Sequence, residues 1–419
     1  YDSVTFEDCS TKNITLSLNG ECDNTYGYVS GFIGDIANSG TKARTVIIKN
    51  CTTDALTNET ALKVPMGGCK WCGIVEPESV PNFTIKVTEN SGTEKTLVAG
   101  TDFNIVNNIP WDGSCAFEPK CENNIYAITA PSELAWIAKQ VEKNNTFEGK
   151  TIQLSNDLDM GNKSWKPIGD NSAHKTINMD KQEAEYVKTV KYFKGTFDGN
   201  NKTISNLTVN HKYPGAGLLG NVQNAVVKNL NVTNATINGS SKWTAIVIGF
   251  SNGSLTVENV KVSNSEINME SDTDGAVKLA GIVSYMNGNN TEDIHLKGCS
   301  VSDFTINGGS YNIAGLAGYI IKAKSFIIEN CQTSNITLKV SDAKYVNKVN
   351  YSSPFLGCFG VTASKNSAVF KNNTVSGTYT YNGSTVNLSS FTISDAGKAN
   401  DSNYSSFVCA PLFGDCDAT

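Results

Sequence analysis

The chain has 419 residues and a formal net charge of −6 at pH 7; 39% of its residues are hydrophobic, 18% are charged and 36 are glycine. We predict no nucleic-acid partner and no membrane span, because the chain has no basic stripe and no apolar run of roughly 20 residues. Few charges beside many Asn, Ser, Thr and Gly residues favour short strands and turns over amphipathic helices.

Two short phrases recur along the chain. The first joins a small residue and apolar residues to a closing Gly, as in residues 216–220 (AGLLG) and 314–318 (AGLAG). The second is an apolar strand, two polar residues and then Cys, Leu or Val, as in residues 327–333 (IIENCQT). Such self-similarity at about 30 to 50 residues predicts stacked repeats, each one coil of a β-helix with a variable loop. We expect the closing Gly to supply a tight bend or a positive φ.

The first 127 residues are predicted to divide into two parts. Residues 1–65 hold two β-helix repeats, and residues 66–127 form a small β-sandwich-like module with a hairpin over residues 82–106 that turns at residues 90–92. We expect Cys69, Cys72, Cys115 and Cys121 to staple this module. A redox role for the Cys69-Lys-Trp-Cys72 pattern is the weaker alternative, since no βαβ pattern surrounds it.

One helix is predicted, within residues 128–149. Leu134, Ile137 and Val141 recur at helical spacing, and Thr129 or Ser132 can provide the N-cap. A stack of coils needs its end covered, so we interpret this segment as a cap. Residues 150–419 are then predicted to form the main parallel β-helix, in which Leu, Ile and Val stack inward between coils.

Residues 128–338 carry a specific resemblance. The run ITAPSELAWIAKQVEKNNTFEGKTIQLSNDLDMGNKSWKPIG, then FKGTFDGNNKTISNLTV, GLLG and VVKNLNVTNATING, resembles surface proteins with GLUG-motif repeats. That resemblance implies an all-β fold, a right-handed parallel β-helix exposed outside the cell. Proteins of this kind are linked with adhesion or flank a separate enzymatic domain, and their repeats carry no known catalytic residues.

Twelve cysteines and only three histidines favour disulfides in an oxidising compartment over zinc sites. Cys9 and Cys51 share one phrase position, as do Cys299 and Cys331, and neighbouring coils stack at roughly 4.8 Å, which a disulfide can span. Buried free thiols are the competing interpretation. The disulfide candidates are Cys9, Cys22, Cys51, Cys69, Cys72, Cys115, Cys121, Cys299, Cys331, Cys358, Cys409 and Cys416.

About twenty N-x-S/T sequons indicate N-glycosylation of a secreted or cell-surface protein. The alternative is that Asn and Thr are simply common in β-helix turns. The candidates are Asn13, Asn50, Asn58, Asn82, Asn144, Asn162, Asn201, Asn206, Asn231, Asn234, Asn238, Asn252, Asn289, Asn335, Asn350, Asn372, Asn382, Asn387, Asn400 and Asn403.

The candidates for chemistry are weak. Asp157, Asp159 and Asp198 could form a carboxylate cluster, but each lies beside Asn or Gly in a turn-like sequence. Asp272 and Asp274 resemble only a fragment of a Ca²⁺ loop. We therefore predict no enzyme, no cofactor and no metal site. Exposed aromatic side chains would support an adhesin, and the candidates for them are Trp165, Trp243, Tyr311 and Tyr319.

The two ends of the sequence fit one another. The C-terminal SSFVCAPLFGDCDAT supplies a first phrase, and the N-terminal YDSVTFEDCSTKNITLSL supplies a second. We expect copies to continue head-to-tail, as subunits or as blocks of one polypeptide, unless the boundary is arbitrary. The leading hypothesis is a structural extracellular fibre or surface glycoprotein. The alternatives are an adhesin for glycans or host proteins and, third, a polysaccharide-degrading β-helix enzyme.

Overall fold

The structure is a computed structural model whose chain divides into two compact units, Tyr1–Glu118 and Pro119–Thr419. The residues it describes are 3–11, 44–53, 83–88, 92–97, 111, 113, 116, 118–169, 173–178, 183–188, 190–239, 242–269, 277–309, 311–339, 351–360 and 367–393.

The first unit contains six described strands. They are β1 (Ser3–Glu7), β2 (Ser10–Thr11), β3 (Arg44–Lys49), β4 (Thr52–Thr53), β5 (Phe83–Thr88) and β6 (Lys95–Leu97). Strands β1, β3 and β5 pair in parallel, and β2 pairs in parallel with β4. The predicted hairpin is confirmed, because β5 and β6 pair antiparallel. Its first strand nevertheless extends the sheet of the two N-terminal repeats instead of forming a sheet of its own.

The second unit holds the remaining strands and one helix, α1 (Pro131–Glu142). The strands are β7 (Lys120–Glu122), β8 (Ile125–Ile128), β9 (Thr151–Leu154), β10 (Leu158–Asp159), β11 (Ala173–Asn178), β12 (Glu183–Lys188), β13 (Thr196–Asp198), β14 (Thr203–Ser205), β15 (Thr208–His211), β16 (Leu219–Thr233), β17 (Thr236–Gly239), β18 (Trp243–Ala245), β19 (Ile248–Met269), β20 (Val277–Ala280), β21 (Val283–Asn287), β22 (Asp293–Lys297), β23 (Ser300–Asn307), β24 (Tyr311–Ala314), β25 (Ala317–Ile321), β26 (Ser325–Glu329), β27 (Gln332–Lys339), β28 (Tyr351–Ser353), β29 (Leu356–Gly360), β30 (Ser367–Lys371), β31 (Asn373–Tyr381) and β32 (Ser384–Ile393).

Parallel pairing in constant register dominates the second unit. In the column formed by β8, β9, β13, β16, β19, β22, β26 and β30, a buried side chain of each strand lies directly beside the next. These residues are Tyr126, Ile152, Phe197, Val227, Val257, Leu296, Ile328 and Phe370. Alternation along each strand directs one set of side chains into the core and the other set outward. The all-β prediction is confirmed.

Single residues in the left-handed conformation separate neighbouring columns. One turn position is taken by Asn229, Asn259, Gly298, Asn330 and Asn372, and the next by Asn206, Asn234, Asn264, Asp303, Asn335 and Gly377, all with φ between 48° and 72°. Of the 23 non-glycine residues with positive φ in the described ranges, 19 are Asn. Asn tolerates this conformation because its short polar side chain bonds locally, so the turns account for much of the chain's Asn content.

The recurring glycines have another role than the one predicted. Gly220, Gly249 and Gly318 are not among the residues with positive φ, so the expectation of positive φ at the closing Gly is wrong there. A Cβ on Gly318 would lie 2.5 Å from the Ser284 carbonyl oxygen, and one on Gly220 would lie 2.1 Å from that of Gly169. These positions need Gly because neighbouring backbone approaches too closely for any side chain.

Helix α1 (Pro131–Glu142) lies within the predicted residues 128–149, but its cap differs. Ala130 is the N-cap, so the prediction of Thr129 or Ser132 is wrong. The cap bonds come from Glu133, whose Oε2 accepts the Thr129 hydroxyl at 2.9 Å and the Ala130 N–H at 3.1 Å. Leu134 and Ile137 are fully buried, and Trp136 lies 6.1 Å from Tyr126 of β8. This helix is neither long nor apolar enough for a membrane span, and the described ranges contain no other candidate.

Antiparallel hairpins lie at both ends of the large sheet. Strand β7 pairs antiparallel with β8, and β32 pairs antiparallel with β31 from Asn373 to Tyr381. A third hairpin, β11 with β12, forms a separate two-stranded sheet. Strand β32 thus occupies the edge of β31 that would otherwise be free.

Candidate functional site

A row of charged side chains of alternating sign, the charge column, runs along the outer face of the stacked strands from β13 to β30. Asp198, Lys228, Glu258, Lys297, Glu329 and Lys371 occupy successive positions in register. Lys228 Nζ lies 3.5 Å from Asp198 Oδ2, and Lys297 Nζ lies 3.9 Å from Glu258 Oε1 and 3.8 Å from Glu329 Oε1. Glu7 and Lys49 pair in the same way in the first unit. Sequence reasoning missed this column, although its signal is the first polar residue of each second phrase.

A shallow groove of about 370 Å³ lies on the outward-facing side chains of strands β14, β16, β19 and β23. Small hydroxyl side chains dominate one wall, and Asn231 and Lys261 contribute an amide and a cation. Three of these hydroxyls, from Thr233, Ser263 and Ser302, belong to a row that continues over six strands, with Ser263 Oγ donating to Thr233 Oγ1 at 3.1 Å. That row is Ser205, Thr233, Ser263, Ser302, Ser334 and Ser376.

Strands β15, β17, β19 and β23 carry a row of Asn side chains, which runs beside a row rich in Thr. Each amide donates to the one before it, from Asn238 to Asn210 at 3.2 Å, from Asn268 to Asn238 at 3.2 Å, and from Asn307 to Asn268 at 2.7 Å. The neighbouring row is Thr208, Thr236, Glu266, Thr305, Thr337 and Thr380. Both rows present evenly spaced hydrogen-bonding groups, because stacked parallel strands repeat every 4.7–4.9 Å, about one coil.

The structure describes fourteen of the twenty candidate glycosylation sites. Ten of them have positive φ: Asn50, Asn144, Asn162, Asn201, Asn206, Asn234, Asn289, Asn335, Asn372 and Asn382. The other four are Asn231, Asn238, Asn252 and Asn387, and the remaining six, at Asn13, Asn58, Asn82, Asn350, Asn400 and Asn403, lie outside the described residues. Local conformation therefore explains most of these Asn residues without a glycan, and glycosylation stays a prediction.

Two predicted cysteine pairs are brought together as thiols. Register places Cys9 beside Cys51 and Cys299 beside Cys331, and the sulfurs of Cys51, Cys299 and Cys331 each donate to a backbone carbonyl two residues earlier. Interaction with the Cys299 side chain, together with burial, raises the pKa of the Cys331 thiol. Cys358 is buried and Cys121 is an exposed thiol, while Cys22, Cys69, Cys72, Cys115, Cys409 and Cys416 lie outside the described residues. The disulfides stay predictions.

The carboxylates considered for catalysis accept hydrogen bonds from residues in the turns. Asp157 Oδ1 accepts the Thr203 N–H at 2.7 Å. The side chain of Asn206 and the Gly161 N–H hold the pKa of Asp159 below its usual range. Burial works to raise the pKa of Asp198, but the Asn200 N–H, the Asn229 amide and the Lys228 charge lower it overall. All three are structural acceptors, and Asp272 and Asp274 lie outside the described residues.

Three of the four aromatic candidates pack against neighbouring residues. Trp165 is only 3% exposed and donates its indole N–H to the Leu218 carbonyl at 3.0 Å. Trp243 lies 5.2 Å from Tyr285, which stacks on Tyr319 at 5.6 Å, and Lys278 Nζ lies 5.3 Å from the Tyr285 ring. The side chain of Tyr311 lies outside the described residues. Trp165, Trp243 and Tyr319 therefore pack against neighbouring residues, which was the favoured expectation for each of them, and do not line a groove of exposed aromatic side chains.

Comparison with known proteins yields one weak likeness. No family model and no curated protein matches the chain. A solved structure described as "a putative immunoglobulin A1 protease from Bacteroides ovatus" is 18% identical, over 65% of this chain and 81% of that one, with a TM-score of 0.33. A score this low carries no argument about fold or activity. The described residues also include no group of three or more His, Cys, Asp or Glu side chains that could hold a metal ion.

Proposed function

We propose that this chain is a structural, non-enzymatic module of an extracellular surface glycoprotein, built as a right-handed parallel β-helix with GLUG-like repeats. The observation that carries the proposal is the constant register of the buried column from Tyr126 to Phe370, with paired residues that lie 26 to 45 positions apart along the chain. Each coil buries its apolar residues only against its neighbours, which suits a stiff scaffold. Helix α1 acts as a cap, supported by its buried face against β8.

The outer faces support a scaffold rather than an active site. Asp157, Asp159 and Asp198 are each occupied by hydrogen bonds within the turns, which leaves them in fixed structural roles. The charge column continues in register over six strands, and its charges pair with one another. Repulsion between like charges would oppose a stack shifted by one coil, so this column helps to define the order of the coils.

The extracellular location is tested on the protein as produced by its own cells. An antibody against the second unit should stain intact and permeabilised cells equally, and peptide mapping should find glycans on exposed sequons such as Asn387. Staining only after permeabilisation, with every sequon bare, would refute the extracellular location.

Head-to-tail assembly is the narrower part of the proposal. Val4 on the edge strand β1 is 45% exposed, although its partner in β3, Val46, is buried. In a continuing stack, Glu7 of one copy would follow Lys371 of another and preserve the alternation of charge. Strand β32 already covers β31, so continuation is left to the other columns. Light scattering and negative-stain images should show linear particles that lengthen with concentration; a monomer at every concentration would refute assembly.

A second candidate is glycan binding in the groove beside Lys261. Hydroxyl, amide and ammonium groups from four stacked strands line it, and these are groups that hydrogen-bond to sugar hydroxyls. Binding to an array of glycans should fall at least tenfold in Lys261→Ala, whereas the control Lys324→Ala on another outer position should bind normally. Equal binding by both variants, or none by the unaltered protein, would exclude this groove.

A further inference from the structure

The two stacked cysteine pairs have the same place in the repeat but differ in access. Cys299 and Cys331 are both fully buried. Cys51 is 1% exposed, whereas its partner Cys9 is exposed at the edge of the first unit. A thiolate must reach a sulfur atom of the external disulfide in order to attack it, so the pairs are chemically distinct although the sequence presents them as equivalent.

Geometry favours bond formation between Cys9 and Cys51. The Cys9 carbonyl accepts the Thr52 N–H at 2.9 Å, and register pairs Glu7 with Lys49 and Ser10 with Thr52, so the two cysteines lie opposite each other. Parallel strands are 4.7–4.9 Å apart, and a disulfide accepts Cα separations of roughly 4.4–6.8 Å. The paired residues on both sides of the two cysteines hold them in facing positions, so little movement is needed.

We propose that Cys9 and Cys51 are the site of a disulfide staple formed by exchange with a small external disulfide, and that Cys299 and Cys331 stay reduced in the folded protein. The proposal rests on the extracellular location proposed above for its supply of oxidant, but its chemistry is testable without it.

The exchange proceeds in two balanced steps. The Cys9 thiolate attacks one sulfur of the external disulfide; that S–S bond breaks, one thiolate leaves, and a mixed disulfide forms on Cys9. The Cys51 sulfur, losing its proton to solvent, then attacks the Cys9 sulfur and expels the second thiolate. Two protein thiols are oxidised and one external disulfide is reduced. Burial raises the pKa of Cys51, which suits this thiol to the second, intramolecular step, where proximity compensates for a small thiolate fraction.

The staple would hold a weakly buried strand. Four of the five residues of β1 are exposed, and in the described part of its sheet β1 pairs only with β3. Linking Cys9 to Cys51 joins these two strands just beyond their paired residues. A closed loop restricts the unfolded chain, so β1 should open less often when the bond is present.

The test uses the full chain, fully reduced and then equilibrated with oxidised glutathione under native conditions. Peptide mapping should find Cys9 linked to Cys51, with Cys299 and Cys331 alkylated only after unfolding. Hydrogen exchange in residues 3–7 should slow at least tenfold on oxidation. Cys51→Ser should abolish that slowing and leave glutathione on Cys9, whereas the matched exposed control Cys121→Ser should behave like the unaltered protein.

Two results would overturn the proposal. One is Cys9 linked to a different cysteine, or unlinked, after equilibration. The other is a Cys299–Cys331 bond formed as fast as the Cys9–Cys51 bond. The oxidation state of protein taken directly from cells is read separately. A Cys9–Cys51 bond formed in vitro but absent from cellular protein would leave the site intact and count against the extracellular location instead.

Discussion

Replacing Gly315 with Ala should destabilise the second unit more than any exposed substitution. Gly315 belongs to the recurring phrase at residues 314–318. An added Cβ would lie 2.1 Å from the Pro354 carbonyl oxygen, whereas ordinary contact begins near 3.4 Å. The coils would therefore have to separate locally by roughly 1 Å or more.

The cost follows from what that separation disturbs. Gly315 donates its N–H to the Ser353 carbonyl at 3.1 Å, and Leu316 donates to Phe355 at 2.9 Å. Overpacking costs about 1–3 kcal/mol, and weakening two backbone hydrogen bonds adds about 1 kcal/mol each, so we expect about 3–5 kcal/mol in total. For a unit of about 300 residues, whose unfolding entropy is about 0.6 kcal/mol/K, this lowers Tm by about 5–8 °C.

Calorimetry of Gly315→Ala beside Gly149→Ala makes the comparison. Gly149 has φ +71° but nothing within 4 Å of an added Cβ, so its replacement carries only conformational strain of about 1–2 kcal/mol. We expect a loss of about 2–3 °C for this control. If Gly315→Ala lost no more than Gly149→Ala, close approach between coils would not be the reason for the recurring glycine.

Three further predictions address the outer face and the turns. Lys297→Glu replaces two attractions by two repulsions in the charge column and should cost about 1–2 kcal/mol at low salt in urea unfolding, with much of the loss recovered at 1 M salt; a salt-independent loss would contradict the electrostatic explanation. Asn335 has φ +53°, so Asn335→Ala should lower the free energy of unfolding measured in urea by about 1–2 kcal/mol more than Asn335→Gly does. Equal losses would argue against left-handed strain. Because the pKa values of Asp159 and Asp198 are lower in the folded chain than their usual 3.8, the unfolded chain takes up these protons first; their stabilisation is complete above that pH and is lost as pH falls through the folded values. Tm measured from pH 6 to 2 should therefore fall less steeply below pH 4 in Asp198→Asn than in the unaltered protein, and parallel profiles would contradict this assignment.

Several features were predictable because they depend on local pattern. The spacing of Leu134, Ile137 and Val141 identified α1, and the alternation over residues 82–106 identified the hairpin of β5 and β6. The shared phrase position of Cys299 and Cys331 predicted that they stack. The cap of α1 was wrongly predicted because Glu133 reaches back from inside the helix, whereas the usual sequence signal for a cap is a Ser, Thr, Asp or Asn residue at the helix start.

Periodicity and phrase position predicted the repeat, the all-β class and which residues point inward, because both follow directly from the order of residues. The roles of the outward residues, by contrast, depend on contacts that exist only in the folded chain. The charge column, the amide row and the access of Cys9 relative to Cys299 each depend on which residues meet across strands 28 to 42 positions apart along the chain. Loop lengths vary from coil to coil, so that meeting is set by stacking register rather than by any fixed spacing along the chain.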